Sequence, residues 1–115
     1  METVIKLVNL EQGMPYADAA IRRLTFEIFD AKRRGFTSLK LIHGYGSSGK
    51  GGVLRVEVRN YLLRIHDRGD IQAFIPGEEF SIFDADTRTA CGIEPELRND
   101  RDLDRHNNGV TFVIL

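Results

Sequence analysis

Between Ser38 and Arg55 the chain passes from a short apolar run, Leu39-Lys40-Leu41-Ile42-His43, through a segment with five glycines, into a helical pattern. A strand, a glycine loop and a helix in that order leave few folds open. The first turn of a helix carries unpaired backbone N–H groups and the positive end of the helix dipole, so it attracts anions. Glycines allow positive φ and bring bare backbone close to a ligand. With Lys50 in the loop and Arg55 one turn on, the expected guest is a phosphate group.

The flanking sequence supplies an α/β frame. Thr3 to Leu10 is aliphatic and β-branched and stops at Glu11-Gln12-Gly13, which predicts a first strand. Met14-Pro15-Tyr16 opens a helix, and Ala17, Ala20, Ile21, Leu24, Ile28 and Ala31 keep the spacing of one buried face. Basic Lys32-Arg33-Arg34 suits its C-terminus, Gly35 stops it, and Phe36 is placed to pack beneath that end. The second strand spans Ser38 to His43. A second helix, Val53 to about His66, buries Leu54, Val58, Tyr61, Leu62 and Ile65 and sets Arg55 and Arg59 side by side on another face. Arg68-Gly69-Asp70 reads as a turn, Ile71 to Ile75 as a third strand, and Gly109 to Leu115 as a buried final strand.

Residues 77–106 are a different text, charged and without periodicity. Phe80, Ile82, Phe83 and Leu97 are its expected anchors, with short helical turns at Asp84–Ala90 and Glu94–Leu97. The element order β-α-β-α-β-(insert)-β predicts a two-layer α/β sandwich. Right-handed crossovers make strands one to two and two to three parallel and put both helices on one face of a small mixed sheet, with its last strand antiparallel to its neighbour.

At 115 residues the chain is one domain, and 42% apolar with 29% charged residues is ordinary for a globular protein. No apolar run reaches membrane-spanning length, and the N-terminal sequence has no signal-peptide pattern. Cys91 stands alone, which excludes an internal disulfide and a cysteine-based zinc site and sets a cytoplasmic location as the expectation. The charge is uneven: residues 1–75 hold 12 Lys/Arg against 8 Asp/Glu, and residues 76–115 hold 4 Arg against 9 Asp/Glu. An acidic insert that covers the basic loop and competes with nucleic acid is one expectation from that contrast.

Gly44-Tyr45-Gly46-Ser47-Ser48-Gly49-Lys50 fits G-x-x-x-x-G-K, but Gly51 stands where a nucleotide-binding loop needs a magnesium-binding hydroxyl. Leu41-Ile42-His43-Gly44-Tyr45-Gly46, followed by Gly52-Val53-Leu54-Arg55, resembles the H-G-x-G-x-G signature of the small MutS-related (Smr) domain. Met14-Pro15-Tyr16-Ala17-Asp18-Ala19 resembles that family's opening of helix one, and Gly109-Val110-Thr111-Phe112-Val113-Ile114-Leu115 its last strand. The resemblance covers residues 1–76 and 107–115 and implies a sandwich like the C-terminal domain of translation initiation factor three. It also implies nucleic-acid binding, with endonuclease activity in some members. Val8-Asn9-Leu10-Glu11 stands where many members carry L-D-L-H, so Asn9 and Glu11 replace the Asp and His associated with cleavage.

The expected nucleic-acid-binding residues are His43, Gly44, Tyr45, Gly46, Ser47, Ser48, Gly49, Lys50, Gly51, Gly52, Arg55 and Arg59. Glu11 and His43 are the candidate catalytic pair for a weak or degenerate, structure-directed phosphodiester hydrolysis. His43 has an equally good reading as a residue that shapes the turn through backbone hydrogen bonds. DNA or RNA is the expected partner, with no membrane, no small-molecule cofactor and no metal site. A divalent ion such as magnesium is compatible with the chemistry but not indicated. The alternative is a non-enzymatic protein-interaction module that uses the insert and the glycine loop.

Overall fold

The structure, a computed structural model, describes residues 4–13, 16–44 and 50–115, with the backbone alone at 50 and 51. Its elements in order are β1 (Ile5–Asn9), α1 (Ala17–Arg33), β2 (Ser38–Ile42), α2 (Lys50–Asp67), β3 (Ala73–Pro76), α3 (Ala85–Ile93) and β4 (Val110–Ile114). Single 3₁₀ turns occupy Gly77–Glu79 and Pro95–Asn99. The four strands form one mixed sheet in the order β1-β2-β4-β3. β1 is parallel to β2, while β4 runs antiparallel to both β2 and β3. The α/β sandwich expected from the element order is the fold observed. Met14 and Pro15, the expected opening of α1, lie outside the described residues. α2 begins at Lys50, earlier than the expected Val53, so Gly51 and Gly52 belong to its first turn.

Both long helices cover one face of the sheet. Ala20, Leu24, Ile28 and Ala31 from α1 meet Leu54, Val58, Leu62 and Ile65 from α2 over Val8, Leu39, Leu41 and Val113. Each helix stops by the same device. Gly35 adopts φ +85° and Gly69 φ +83°, a region that costs other residues a Cβ clash. Phe36 N–H then donates to Ala31 O at 3.0 Å and Asp70 N–H to Ile65 O at 2.9 Å, which satisfies carbonyls the helix leaves unpaired. Asp30, on the last turn of α1, is buried beside β1. It accepts from Arg33 at 2.8 Å, Lys6 at 3.1 Å and Arg34 at 3.4 Å. These donors, Arg33 foremost and then Lys6, hold its carboxyl down at about 2.

The insert packs against the other face. Phe80 stacks on Phe112 with ring centroids 4.0 Å apart, and Ala90, Cys91 and Leu97 close over Ile75, Val110 and Ile114. β4 is therefore buried along its whole length between two covers. Of the four expected anchors, Phe80 and Leu97 dock, but Ile82 and Phe83 are 48% and 84% exposed. The turn before α3 aims them outward, with Phe83 N–H tied to Ser81 Oγ at 3.2 Å. Both expected helical turns are present, the first lengthened into α3 and capped by Asp84, whose carboxylate accepts from Thr87 N–H at 2.9 Å. Polar groups complete the cover. Lys40 Nζ reaches Asp102 at 2.6 Å and Asp100 at 3.0 Å across the sheet surface. Burial opposes charge on Asp102, yet the hydrogen bonds from Lys40 and Asn107 hold its carboxyl below the usual range. Burial pushes the Cys91 thiol up, which keeps it protonated and inert.

Candidate nucleic-acid interface

Strand directions gather the expected site at one end of the sheet. β1, β2 and β3 all finish there and β4 begins there, since Ile42 pairs with Val110 and Pro76 with Thr111. The exits of β1 and β2, the start of α2 and both ends of the insert consequently meet. Tyr45, Gly46, Ser47, Ser48 and Gly49, expected to contact phosphate, lie outside the described residues, as does the side chain of Lys50.

The exit of β2 is fixed by backbone bonds. His43 N–H and Gly44 N–H both donate to Gly109 O at 3.0 Å, which joins the loop to the residue that opens β4. Gly44 has φ +79°, and a Cβ there would lie 2.5 Å from Glu11 Oε2. The positive φ is what favours glycine here, since the Glu11 carboxylate could swing aside from a Cβ. Glu11 is exposed, its N–H donates to Asn9 Oδ1 at 2.9 Å, and its carboxylate has no partner among the described residues. Asn9 thus spends its side chain on a local turn, while its carbonyl accepts from Arg23 at 3.0 Å. Glu11 and Gly44 also line a cleft of about 610 Å3 that runs past Leu7 and Ile42 toward Lys40 and Asp102.

His43 is fully buried, unlike a residue waiting at a loop mouth. Its Nδ1 lies 2.8 Å from Gly44 O and its Nε2 2.8 Å from Thr111 Oγ1. A carbonyl only accepts, so Nδ1 carries the proton and Nε2 accepts from the threonine. Burial is the main cause that drives the imidazole pKa down to about 4. The Gly44 carbonyl opposes that shift, and the charges of Arg59 and Arg55 add to it. At neutral pH the ring is neutral and both nitrogens are occupied. That geometry matches the turn-shaping reading of His43 and leaves no ring nitrogen facing a substrate.

Arg59 has its donors engaged. Nη1 and Nη2 bind the Glu78 carboxylate at 2.7 and 2.6 Å, Nε donates to Thr111 Oγ1 at 3.3 Å, and Nη2 also reaches Asn108 O at 3.3 Å. Burial works against charge on Glu78, but the bidentate bonds from Arg59 outweigh it and keep the carboxyl low. Arg59 therefore clasps both ends of the insert, and the expectation that it stands ready for phosphate does not match its surroundings. Arg55, half-buried one turn earlier on α2, makes no hydrogen bond or ion pair among the described residues, although its charge acts on Glu78 and His43. The first turn of α2 contains no acidic residue to offset its dipole.

The insert's body lies on the sheet face away from α2; its Glu78 carboxylate reaches Arg59, and its Asp100 and Asp102 line the cleft that Gly44 borders, while the loop it was expected to cover lies outside the described residues. Thr111 and Glu78 were not among the expected site residues. The signal for Thr111 was one hydroxyl inside an otherwise apolar run, a buried polar group that must find a partner. Among the described residues no group of three or more His, Cys, Asp or Glu side chains could hold a metal ion, and no helix is long and apolar enough to cross a membrane.

A family model, the Smr domain, matches residues 12–79, from the exit of β1 through α1, β2, α2 and β3. No curated protein and no solved structure matches the chain significantly. The matched span is more than half of the chain, includes the His43-Gly44 strand exit and the first turns of α2, and takes in only the first three residues of the insert. The chain belongs to the Smr family, whose domain is nucleic-acid-binding and endonuclease-related.

Proposed function

We propose that this protein binds the phosphate backbone of DNA or RNA at the strand-exit end of its sheet, through the loop 43–52 and the start of α2. The observation that carries this reading is the first turn of α2. It has no acidic residue, starts at the end of the sheet where β2 exits through His43 and Gly44, and is followed by Arg55, whose guanidinium makes no hydrogen bond or ion pair among the described residues. Unpaired N–H groups, a dipole end and a nearby guanidinium together favour an anion. Lys50 supplies a second charge in the same segment.

Binding outweighs cleavage in this reading. His43 is neutral, buried and saturated, so it serves as scaffold, and Asn9 has no carboxylate to activate water. Glu11 is the acid that lies beside Gly44 with no partner among the described residues. Any residual phosphodiester hydrolysis would use it as the proton acceptor, with Arg55 or Lys50 stabilising the developing charge.

The test is a combined binding and nicking assay on supercoiled plasmid, a branched DNA and a structured RNA, with and without magnesium. Binding that falls steeply with salt and is lost in Lys50→Ala/Arg55→Ala supports the reading. Nicking that survives purification and drops in Glu11→Gln assigns Glu11 the proton transfer. Failure to bind all three substrates at low salt overturns it. The exposure of Phe83 and Ile82 on the insert favours a second reading, a protein contact made by that surface, which would then take its place.

A further inference from the structure

The hydrogen bonds around Thr111 form a chain with one allowed direction. Arg59 Nε can only donate and Gly44 O can only accept, so the groups between them have no freedom. Thr111 Oγ1 accepts from Arg59 and gives its proton to His43 Nε2, and His43 Nδ1–H donates to Gly44 O. Reversing any member leaves a buried polar atom unpaired, which costs more than the bond itself contributes. At the other end Arg59 is held by the Glu78 carboxylate and by the carbonyl of Asn108. These residues are the two stems of the insert. They are pressed together at Gly77, where a Cβ would collide with the carbonyl oxygen of Asn107.

We propose that Glu78 and Arg59 are positioning residues for the phosphate-binding segment, acting through Thr111 and His43 on Gly44, so that the insert fixes the strand exit from which that segment leaves. This assignment rests on the phosphate-binding reading of the loop. It differs from a blockade, in which Glu78 would occupy a guanidinium meant for nucleic acid. Arg59 orients the next donor with one nitrogen while its other two grip the insert, a division of labour that a lysine cannot reproduce.

The experiment uses the full chain, labelled with 15N, as wild type, Glu78→Gln, Arg59→Lys, Thr111→Val and Thr111→Ser. Long-range 1H–15N spectra report the His43 tautomer, the amide signal reports Gly44, and oligonucleotide titrations at several salt concentrations report binding. Wild type and Thr111→Ser should share the Nδ1–H tautomer and the same Gly44 signal. Thr111→Val is nearly isosteric, so it should remain folded while moving both signals. It and Glu78→Gln should weaken binding roughly threefold to tenfold, the loss of one or two buried hydrogen bonds, with an unchanged salt slope. Tighter binding by Glu78→Gln overturns the proposal in favour of blockade. A salt slope reduced by about one in Arg59→Lys overturns it in favour of direct phosphate contact. If wild type binds no oligonucleotide, the phosphate-binding reading fails separately and the spectra still decide. Unmoved His43 and Gly44 signals in Glu78→Gln would then remove the positioning role.

Discussion

The two faces of this sheet are closed by different chemistry. On one, α1 and α2 lay continuous aliphatic stripes on Val8, Leu39, Leu41 and Val113. On the other, the insert contributes fewer apolar side chains and adds the ion pairs of Lys40 with Asp100 and Asp102, while its first turn reaches back to Arg59 of α2 through Glu78. A helix layer gains by area, which is non-directional and tolerant. A cover of short turns has too little apolar surface for that and must be located by specific partners. The contrast teaches where the site's geometry comes from. The helix layer builds the frame, and the insert's stems orient the strand exits.

The contrast breaks first at Phe80. If the insert is an integral layer, Phe80→Ala should cost about 4 kcal/mol, as much as Leu62→Ala on the helix side. Denaturant unfolding followed by fluorescence and by circular dichroism should give one coincident transition for both variants. Separate transitions would make the insert an appendage. Next comes Lys40→Met, which leaves Asp100 and Asp102 facing each other without their cation. It should cost about 3 kcal/mol by the same measurement, whereas a surface pair would cost under about 1.

Acid sharpens the comparison further. The folded pKa of His43 is about 4 against 6.5 for the free side chain, so the unfolded chain binds the proton first as pH falls. The stability tied to its neutral ring is complete above pH 6.5 and is lost between 6.5 and 4, a drop of about 3 kcal/mol. Asp30 behaves in the next window. Its contribution is complete above 3.8 and disappears as pH falls toward 2. Urea midpoints measured from pH 7 to 2 should lose the upper slope in His43→Gln and the lower one in Asp30→Asn. The smallest effect is expected at a helix stop, where Gly35→Ala at φ +85° should cost roughly 1 kcal/mol in thermal unfolding.

The helix layer was legible because periodicity carries it. Leu24 and Ile28 in α1, and Val58 and Leu62 in α2, recur at the spacing of one face, and Gly35 and Gly69 stand where each helix must stop. The parallel pairing of β1 with β2 followed from crossover handedness, although nothing local revealed that β4 would lie between β2 and β3. In the insert, Phe80 and Phe83 look alike in sequence, and only the path of one turn decides that the first stacks on Phe112 while the second faces outward. The strand exit and the helix start that bracket the candidate site at 43–55 were legible as a strand-glycine-helix pattern. The direction of its side chains was not, because His43, Thr111, Arg59 and Glu78 meet across separations of up to 68 residues. Hydrogen-bond partners at that range leave no periodic trace.

The measurement closest to the central claim is an amide-resolved NMR titration of the intact chain with a short DNA duplex and a short RNA hairpin at low salt. The account predicts the largest shifts at the amides of residues 44–55, little change at α3, and loss of the shifts in Lys50→Ala/Arg55→Ala. Shifts centred on the outward surface of the insert, around Ile82 and Phe83, with residues 44–55 silent, would contradict it.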